Sequence, residues 1–171
     1  MMEGTSLYNK VIRFISIRPR SEKEISSYIK EKIYRKVKDY SEIEEIISKI
    51  LKNLKEINLV DDESFAKSFI EWRLTSANPK GFRIIRSELA VKGVERDLVD
   101  NLLGDEKYKT MEVEAAKRVV SKKLKFYQQK LRRNYGREPV ELHKEPLALK
   151  KYLFTRGFTQ SSIEAVFENE M

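Results

Sequence analysis

Two fifteen-residue segments of the chain align without a gap, and this internal repeat constrains the fold more than any other feature. The segments are 89–103 and 153–167, and they share apolar positions, a basic residue and a glycine. In the first segment the basic residue, the glycine and the next apolar residue are Lys92, Gly93 and Val94. Gly93 fits the left-handed position that closes a helix, and Val94 can fold back onto that helix. Each segment therefore predicts a helix, a glycine ending and a short amphipathic helix.

Helix signals are frequent in the rest of the chain, and strand signals are nearly absent. Ser21 with Glu24, and Ser41 with Glu44, have the spacing of a capping box. Isoleucines follow Ser21 at intervals of four, and a clear 3.6-residue apolar stripe extends over 41–57. We therefore expect one helix after Ser21 and a second over 41–57.

Helix boundaries farther along the chain are indicated by caps and by proline. Asp61 or Asp62 is expected to cap the next helix, with Val60 and Phe65 at the spacing of a hydrophobic staple. Asn78–Pro79 predicts a helix stop followed by a helix start. Four further elements are expected: a long helix from about Tyr108 to Arg133, a loop over 135–139, a helix over 140–156 that Pro146 kinks or delays, and a last helix over 161–168.

Grouping these helices by threes predicts an all-α chain of tandem three-helix repeats. The units span 6–58, 61–104 and 106–170. Three short helices bury little apolar surface alone, so stacking between neighbouring units should add stability.

The positive charge of the chain is concentrated in one segment. There are 35 lysines and arginines against 27 acidic residues, but 117–137 contains nine of the basic residues and no acid. The remainder has 26 basic against 27 acidic residues. Phe126, Tyr127 and Tyr135 are interleaved with these cations. A basic segment with aromatic residues is typical of contact with nucleic acid or with an acidic protein. The alternative is a solvated helix face whose aromatic rings turn toward the core.

Little in the sequence supports catalysis, a metal or a cofactor. Cysteine is absent, His143 is the only histidine, and no glycine-rich phosphate loop is present. Asp61, Asp62 and Glu63 form an acidic cluster, which fits a helix N-terminus better than a metal cage. No apolar run reaches the length of a membrane span. We expect a soluble cytoplasmic protein that is not an enzyme and needs no cofactor.

The middle unit resembles the central repeat of the RecX family. The resemblance lies in D-x-x-F-A at 62–66, Arg73, and a G-x-x-x-I-x-x-E-L-x-x-K-G run over 81–93. Arg18-Pro-Arg-Ser21 with Glu24 is similar to the first repeat of that family, and Arg156-Gly-Phe158 to the third.

The resemblance implies a non-enzymatic regulator of the RecA recombinase with an elongated, curved body of three-helix repeats. Proteins of this family are thought to lie in the groove of the RecA filament on single-stranded DNA. They inhibit filament extension, ATP hydrolysis and strand exchange. The partner expected here is therefore that filament, with DNA itself as a candidate contact. A monomer is expected, since a repeat body needs no dimer.

Motif residues divide into structural and contact candidates. Phe65, Ala66, Ile84 and Leu89 are expected in the core, and Arg73 with Glu88 in an internal ion pair. Ten basic residues remain as contact candidates, of which only Lys92 belongs to the family motif: Lys80, Arg83, Arg86, Lys92, Lys122, Lys123, Lys125, Lys130, Arg132 and Arg133. Two other functions stay open, a general nucleic-acid-binding helical module and a helical adaptor for a protein partner.

Overall fold

The computed structural model describes residues 2–37, 39–135 and 146–168, and within these ranges the chain forms helices and no strand. The side chains described are those of 6–37, 39–126, 129 and 147–168. The helices of the described ranges are α1 (Met2–Ile17), α2 (Glu22–Ile33), α3 (Tyr40–Glu56), α4 (Asp62–Thr75), α5 (Phe82–Val91), α6 (Arg96–Gly104), α7 (Glu106–Tyr135), α8 (Pro146–Thr155) and α9 (Gln160–Glu168). The predicted all-α class is confirmed.

Two of the predicted helix caps are confirmed and one is wrong. Ser21 and Glu24 form the predicted capping box at the start of α2, and Asp61 accepts hydrogen bonds from two backbone N–H groups of α4 at 3.0 and 3.2 Å. The predicted cap at Ser41 is displaced by Asp39, whose carboxylate accepts from the Ser41 N–H at 2.9 Å. Aspartate is an equally good cap, and Glu44, the proposed partner of Ser41, instead forms an ion pair with Lys30 of α2 at 2.6 Å.

The start of α5 also differs from the prediction. Asn78–Pro79 does not begin a helix, because α5 starts at Phe82. The Gly81 N–H donates to the Arg156 carbonyl at 3.0 Å, so the backbone before α5 is engaged with a distant segment. The later boundaries agree closely with the prediction: α7 continues to Tyr135, the first residue of the expected loop, and α9 starts at Gln160. Pro146 is the first residue of α8, where its missing N–H costs nothing. The rest of the loop and the first part of the 140–156 helix lie outside the described residues.

The chain divides into two compact units, of which the first comprises residues 1–68 and 89–98. Its core is formed by the isoleucine stripes of α2 and α3, which pack with residues of α1 and of the turn before α4. The buried members are Val11, Ile25, Ile29, Ile33, Ile43, Ile47, Leu54 and Val60.

The second unit comprises residues 69–88 and 99–171, and it contains a buried carboxylate. Glu112 of α7 is 1% exposed. Its two oxygens accept from the Phe82 N–H at 2.7 Å, from the Thr159 hydroxyl at 2.6 Å and from the Ser162 hydroxyl at 2.6 Å. One side chain of α7 therefore caps the N-termini of both α5 and α9, where the helix dipoles favour a negative charge.

The internal repeat is confirmed by the two glycine endings. Gly93 and Gly157 have positive φ angles of 82° and 85°. Val94 N–H donates to the Leu89 carbonyl at 3.1 Å, and Phe158 N–H donates to the Leu153 carbonyl at 3.2 Å. This 6→1 bond is the Schellman ending that both segments predict.

Each glycine ending also contacts the start of an earlier helix within its own unit. In the first unit the Ser21 hydroxyl, at the start of α2, donates to the Lys92 carbonyl at 2.7 Å. In the second unit the Arg83 N–H, at the start of α5, donates to the Gly157 carbonyl at 2.9 Å. The same kind of docking between a helix end and a helix start is therefore used twice.

Candidate nucleic-acid interface

A basic groove in the second unit brings together three segments of the chain. Its walls are the 75–79 connection after α4, one face of α7, and α8. Its volume is about 420 Å³, within the range of about 300–1,000 Å³ that ligand pockets occupy. The described residues that line it include four cations and no carboxylate: Thr75, Ser76, Ala77, Asn78, Pro79, Arg118, Val119, Lys122, Lys123, Phe126, Tyr152 and Arg156.

Three of the groove cations are held in place by backbone carbonyls. Arg118 donates to the Leu74 carbonyl at the end of α4. Lys122 donates to the Ala77 carbonyl at 3.2 Å and to the side-chain oxygen of Asn78 at 3.1 Å. The guanidinium of Arg156 donates twice to the Pro79 carbonyl, at 2.7 and 3.2 Å. These acceptors are neutral, so they orient the three cations and leave their formal charges in place.

Two aromatic rings complete the groove. Phe126 is 58% exposed. Tyr152 is half-buried, with the Lys123 ammonium 4.7 Å from its ring centroid. A groove with positive charge and an exposed ring can attract a phosphate and stack a planar group beside it.

Two of the ten predicted contact residues, Lys122 and Lys123, line this groove. Sequence reasoning did not select Arg118, Arg156 or Tyr152 for the site. Their spacing in the sequence could have indicated them. Arg118, Lys122 and Phe126 are spaced by four residues, and so are Tyr152 and Arg156. This spacing places each set on one helix face. The side chains of Lys130, Arg132 and Arg133 lie outside the described part of the chain.

The predicted contact residues of the middle unit lie outside the groove lining. Arg83 is exposed, with its guanidinium 4.0 Å from the ring centroid of Phe154 on α8. Arg86 forms an ion pair with Asp100 at 2.6 Å. Lys80 is half-buried, and Lys125 is exposed on α7. Their roles as contacts stay predictions.

Lys92 takes part in a polar cluster of the first unit. Its ammonium lies 2.9 Å from the Glu24 carboxylate, to which Arg18 also donates at 2.8 Å. Burial opposes ionisation of Glu24, but the hydrogen bonds from Arg18 and Lys92 outweigh it and lower the pKa of Glu24 to about 2. The family-motif residue Lys92 therefore has a structural partner.

Other polar motif residues also have structural partners. The predicted pair of Arg73 and Glu88 is confirmed as a two-bond contact at 2.6 and 2.7 Å. Asp62, expected as a possible cap of its own helix, instead accepts from the Glu22 N–H at 2.9 Å, at the start of α2. Burial raises the pKa of Asp62.

No group of three acidic or histidine side chains that could hold a metal ion occurs among the described residues. Within the acidic cluster, Asp61 and Asp62 cap different helices, and Glu63 forms an ion pair with Lys67 at 2.6 Å. His143 lies outside the described residues. Within the same ranges, no helix is long and apolar enough to cross a bilayer.

The fold and the groove define an all-α repeat protein with a basic site whose described lining contains no carboxylate. The family model for the second three-helix domain of RecX matches residues 61–103. The chain is 33% identical over 163 residues to the regulatory protein RecX of Oceanobacillus iheyensis, covering 94% of this chain and 52% of that protein. It is 29% identical to the one of Caldanaerobacter subterraneus, covering 95% of this chain and 70% of that protein. The chain thus spans about half the length of the first relative.

Solved structures agree with these matches. The crystal structure of RecX from Lactobacillus salivarius superposes with a TM-score of 0.67 at 20% identity, covering 99% of this chain and 97% of that one. A second crystal structure of a regulatory protein RecX gives a TM-score of 0.66 at 26% identity, covering 96% and 73%. The chain belongs to the RecX family of regulatory proteins.

Proposed function

We propose that the chain is a non-enzymatic regulator of the RecA recombinase. It binds the RecA filament on single-stranded DNA and restrains filament extension, ATP hydrolysis and strand exchange. The observation that carries this proposal is the basic groove, whose described lining holds four cations and no carboxylate, in a chain of the RecX family. A protein–DNA filament exposes phosphates along its length, and a cluster of cations in a groove is attracted to them.

The proposed regulator works as a cytoplasmic monomer, and its repeats supply the contact surface. Membership in a family of regulatory proteins supports a binding role rather than catalysis. The groove supports contact with DNA as well as with protein, because it offers both positive charge and an exposed ring.

The decisive test is the DNA-dependent ATP hydrolysis of RecA on single-stranded DNA, with this protein titrated from sub-stoichiometric amounts. Inhibition well below one protein per RecA is expected, since one bound molecule can block extension for many subunits. The R83A/R86A variant tests the predicted surface of the middle unit. A matched control is K49A/K52A, which removes two exposed lysines from α3. No inhibition at equimolar wild-type protein would refute the regulator.

The second candidate is a general nucleic-acid-binding module, which the groove itself favours. It predicts salt-sensitive binding to bare single-stranded DNA and no tighter binding to the RecA filament. The third candidate is an adaptor for a protein partner, and it predicts no binding to bare DNA. Comparing affinities for the filament, for RecA alone and for DNA alone separates the three.

A further inference from the structure

The geometry points to the groove of the second unit as a binding site for one phosphate–base step of a single-stranded nucleic acid. Arg118 and Lys122 receive the phosphate, and the unpaired base stacks on Phe126. This inference deepens the proposed function and rests on it for the identity of the strand as DNA.

The first argument is the charge of the groove. The described residues that line it include four cations and no carboxylate. Arg118 and Lys122 donate to neutral oxygens, whereas several other cations of the same unit form ion pairs. Lys107 lies 2.6 Å from Glu71, and Lys117 lies 2.9 Å from Glu114. A cluster of like charges within one concave surface is stabilised by an incoming anion.

The second argument is preorganisation. Arg118 carries five N–H donors, and its described side-chain hydrogen bond is the one to the Leu74 carbonyl. Lys122 is fixed by the Ala77 and Asn78 oxygens. Because both side chains are already ordered, a phosphate oxygen meets oriented donors, and little side-chain entropy is lost on binding.

The third argument is the aromatic wall, which selects an unpaired base. Phe126 follows Lys122 by four residues on the same face of α7, and its ring is 58% exposed. Base stacking on an aromatic side chain requires a base released from its pair, so a single strand fits and a duplex does not. An acidic peptide would satisfy the cations but would leave the ring without a planar partner.

The test measures binding of a fluorescein-labelled oligothymidylate by anisotropy across a salt series. The phosphate contact is removed in Lys122→Gln, and the matched control is Lys151→Gln, which removes an exposed charge from α8 outside the groove lining. Lys122→Gln is expected to weaken binding and to make the log–log salt slope shallower by about 0.7, the value for one phosphate contact on a single strand. Lys151→Gln should change the slope less. Equal effects of the two variants would overturn the site.

The base contact is tested with Phe126→Leu, and Phe126→Trp restores a ring. Phe126→Leu should weaken oligothymidylate binding by about 5- to 150-fold, with the salt slope unchanged, and Phe126→Trp should recover it. Inorganic polyphosphate of similar length serves as a probe without bases, and its binding should not depend on Phe126. An oligonucleotide affinity that is insensitive to Phe126→Leu would refute the stacking, and tighter binding of an acidic peptide such as oligoglutamate would favour a protein partner instead. Circular dichroism checks that each variant is folded.

The outcome is separable from that of the proposed function. If the groove variants lose oligothymidylate binding while the wild-type protein fails to inhibit RecA, the groove inference holds and the regulator fails. If the wild-type protein inhibits RecA and the groove variants bind and inhibit equally well, the regulator holds and the groove inference fails.

Discussion

Adding one methyl group at Gly81 should destabilise the second unit strongly. An ideal Cβ at this position would lie 2.2 Å from the Phe158 nitrogen and 2.3 Å from the Gly157 carbonyl carbon. All of its nearest neighbours are backbone atoms, which cannot rotate away as a side chain can. Gly81→Ala therefore forces the glycine ending of α8 away from the start of α5.

The expected loss of stability follows from the hydrogen bonds that this separation breaks. Two backbone hydrogen bonds join the segments, from the Gly81 N–H to the Arg156 carbonyl and from the Arg83 N–H to the Gly157 carbonyl. Each contributes about 0.5–1.5 kcal/mol, and overpacking at a rigid contact adds about 1–3 kcal/mol. We expect a loss of about 3 kcal/mol or more, which corresponds to roughly 6–12 °C in Tm for a chain of this size.

The chain provides a matched control for this substitution. Gly104 ends α6 in the same unit, and a Cβ added there has no atom within 4 Å. Gly104→Ala should be neutral or stabilising by up to about 1 kcal/mol, because alanine is the better helix former. Thermal and urea unfolding followed by circular dichroism at 222 nm would compare the two variants. Equal stability of Gly81→Ala and Gly104→Ala would refute the tight docking between α8 and α5.

Three further predictions concern the Gly157 ending, the buried Glu112 and the half-buried Glu24. Gly157→Ala should cost about 1–2 kcal/mol from its positive φ alone, with more from the Ile84 nitrogen 2.9 Å from the added Cβ, and urea unfolding should show it to be less stable than wild type. Glu112→Leu should lower the free energy of unfolding by about 3 kcal/mol or more, because it leaves buried donors at two helix starts without an acceptor. Glu112→Gln should lower the free energy of unfolding less. Equal decreases for the two variants in urea titrations would contradict the capping role. The lowered pKa of Glu24 gives stability that is complete above its ordinary value of 4.5 and is lost as pH falls toward about 2, with a slope of at most about 1.4 kcal/mol per pH unit. Glu24→Gln should remove this part of the acid-unfolding slope, and an unchanged slope would show that Glu24 is not the group responsible.

The sequence by itself determined the local structure. Capping at Ser21 and Asp61, the isoleucine stripe of α3 and the two glycine endings depend on residues within about one or two helical turns of each other, so their spacing predicts them directly. The Arg73–Glu88 pair was also predictable, since both residues belong to the family motif of the middle unit. The nine lysines and arginines counted in 117–137, with no acid among them, already identified the basic segment of α7.

Only the tertiary structure decided how these elements meet. Asn78–Pro79 looks like a helix start, but α5 begins at Phe82, because Glu112 of α7 caps that residue from 30 positions away. The basic groove likewise depends on carbonyls that lie 44 and 77 positions from the Arg118 and Arg156 side chains that bind them. Charge patterning could select Lys122 and Lys123, but it could not distinguish them from Lys125. That distinction depends on which residues face the connection after α4, and local spacing carries no information about contacts between distant segments.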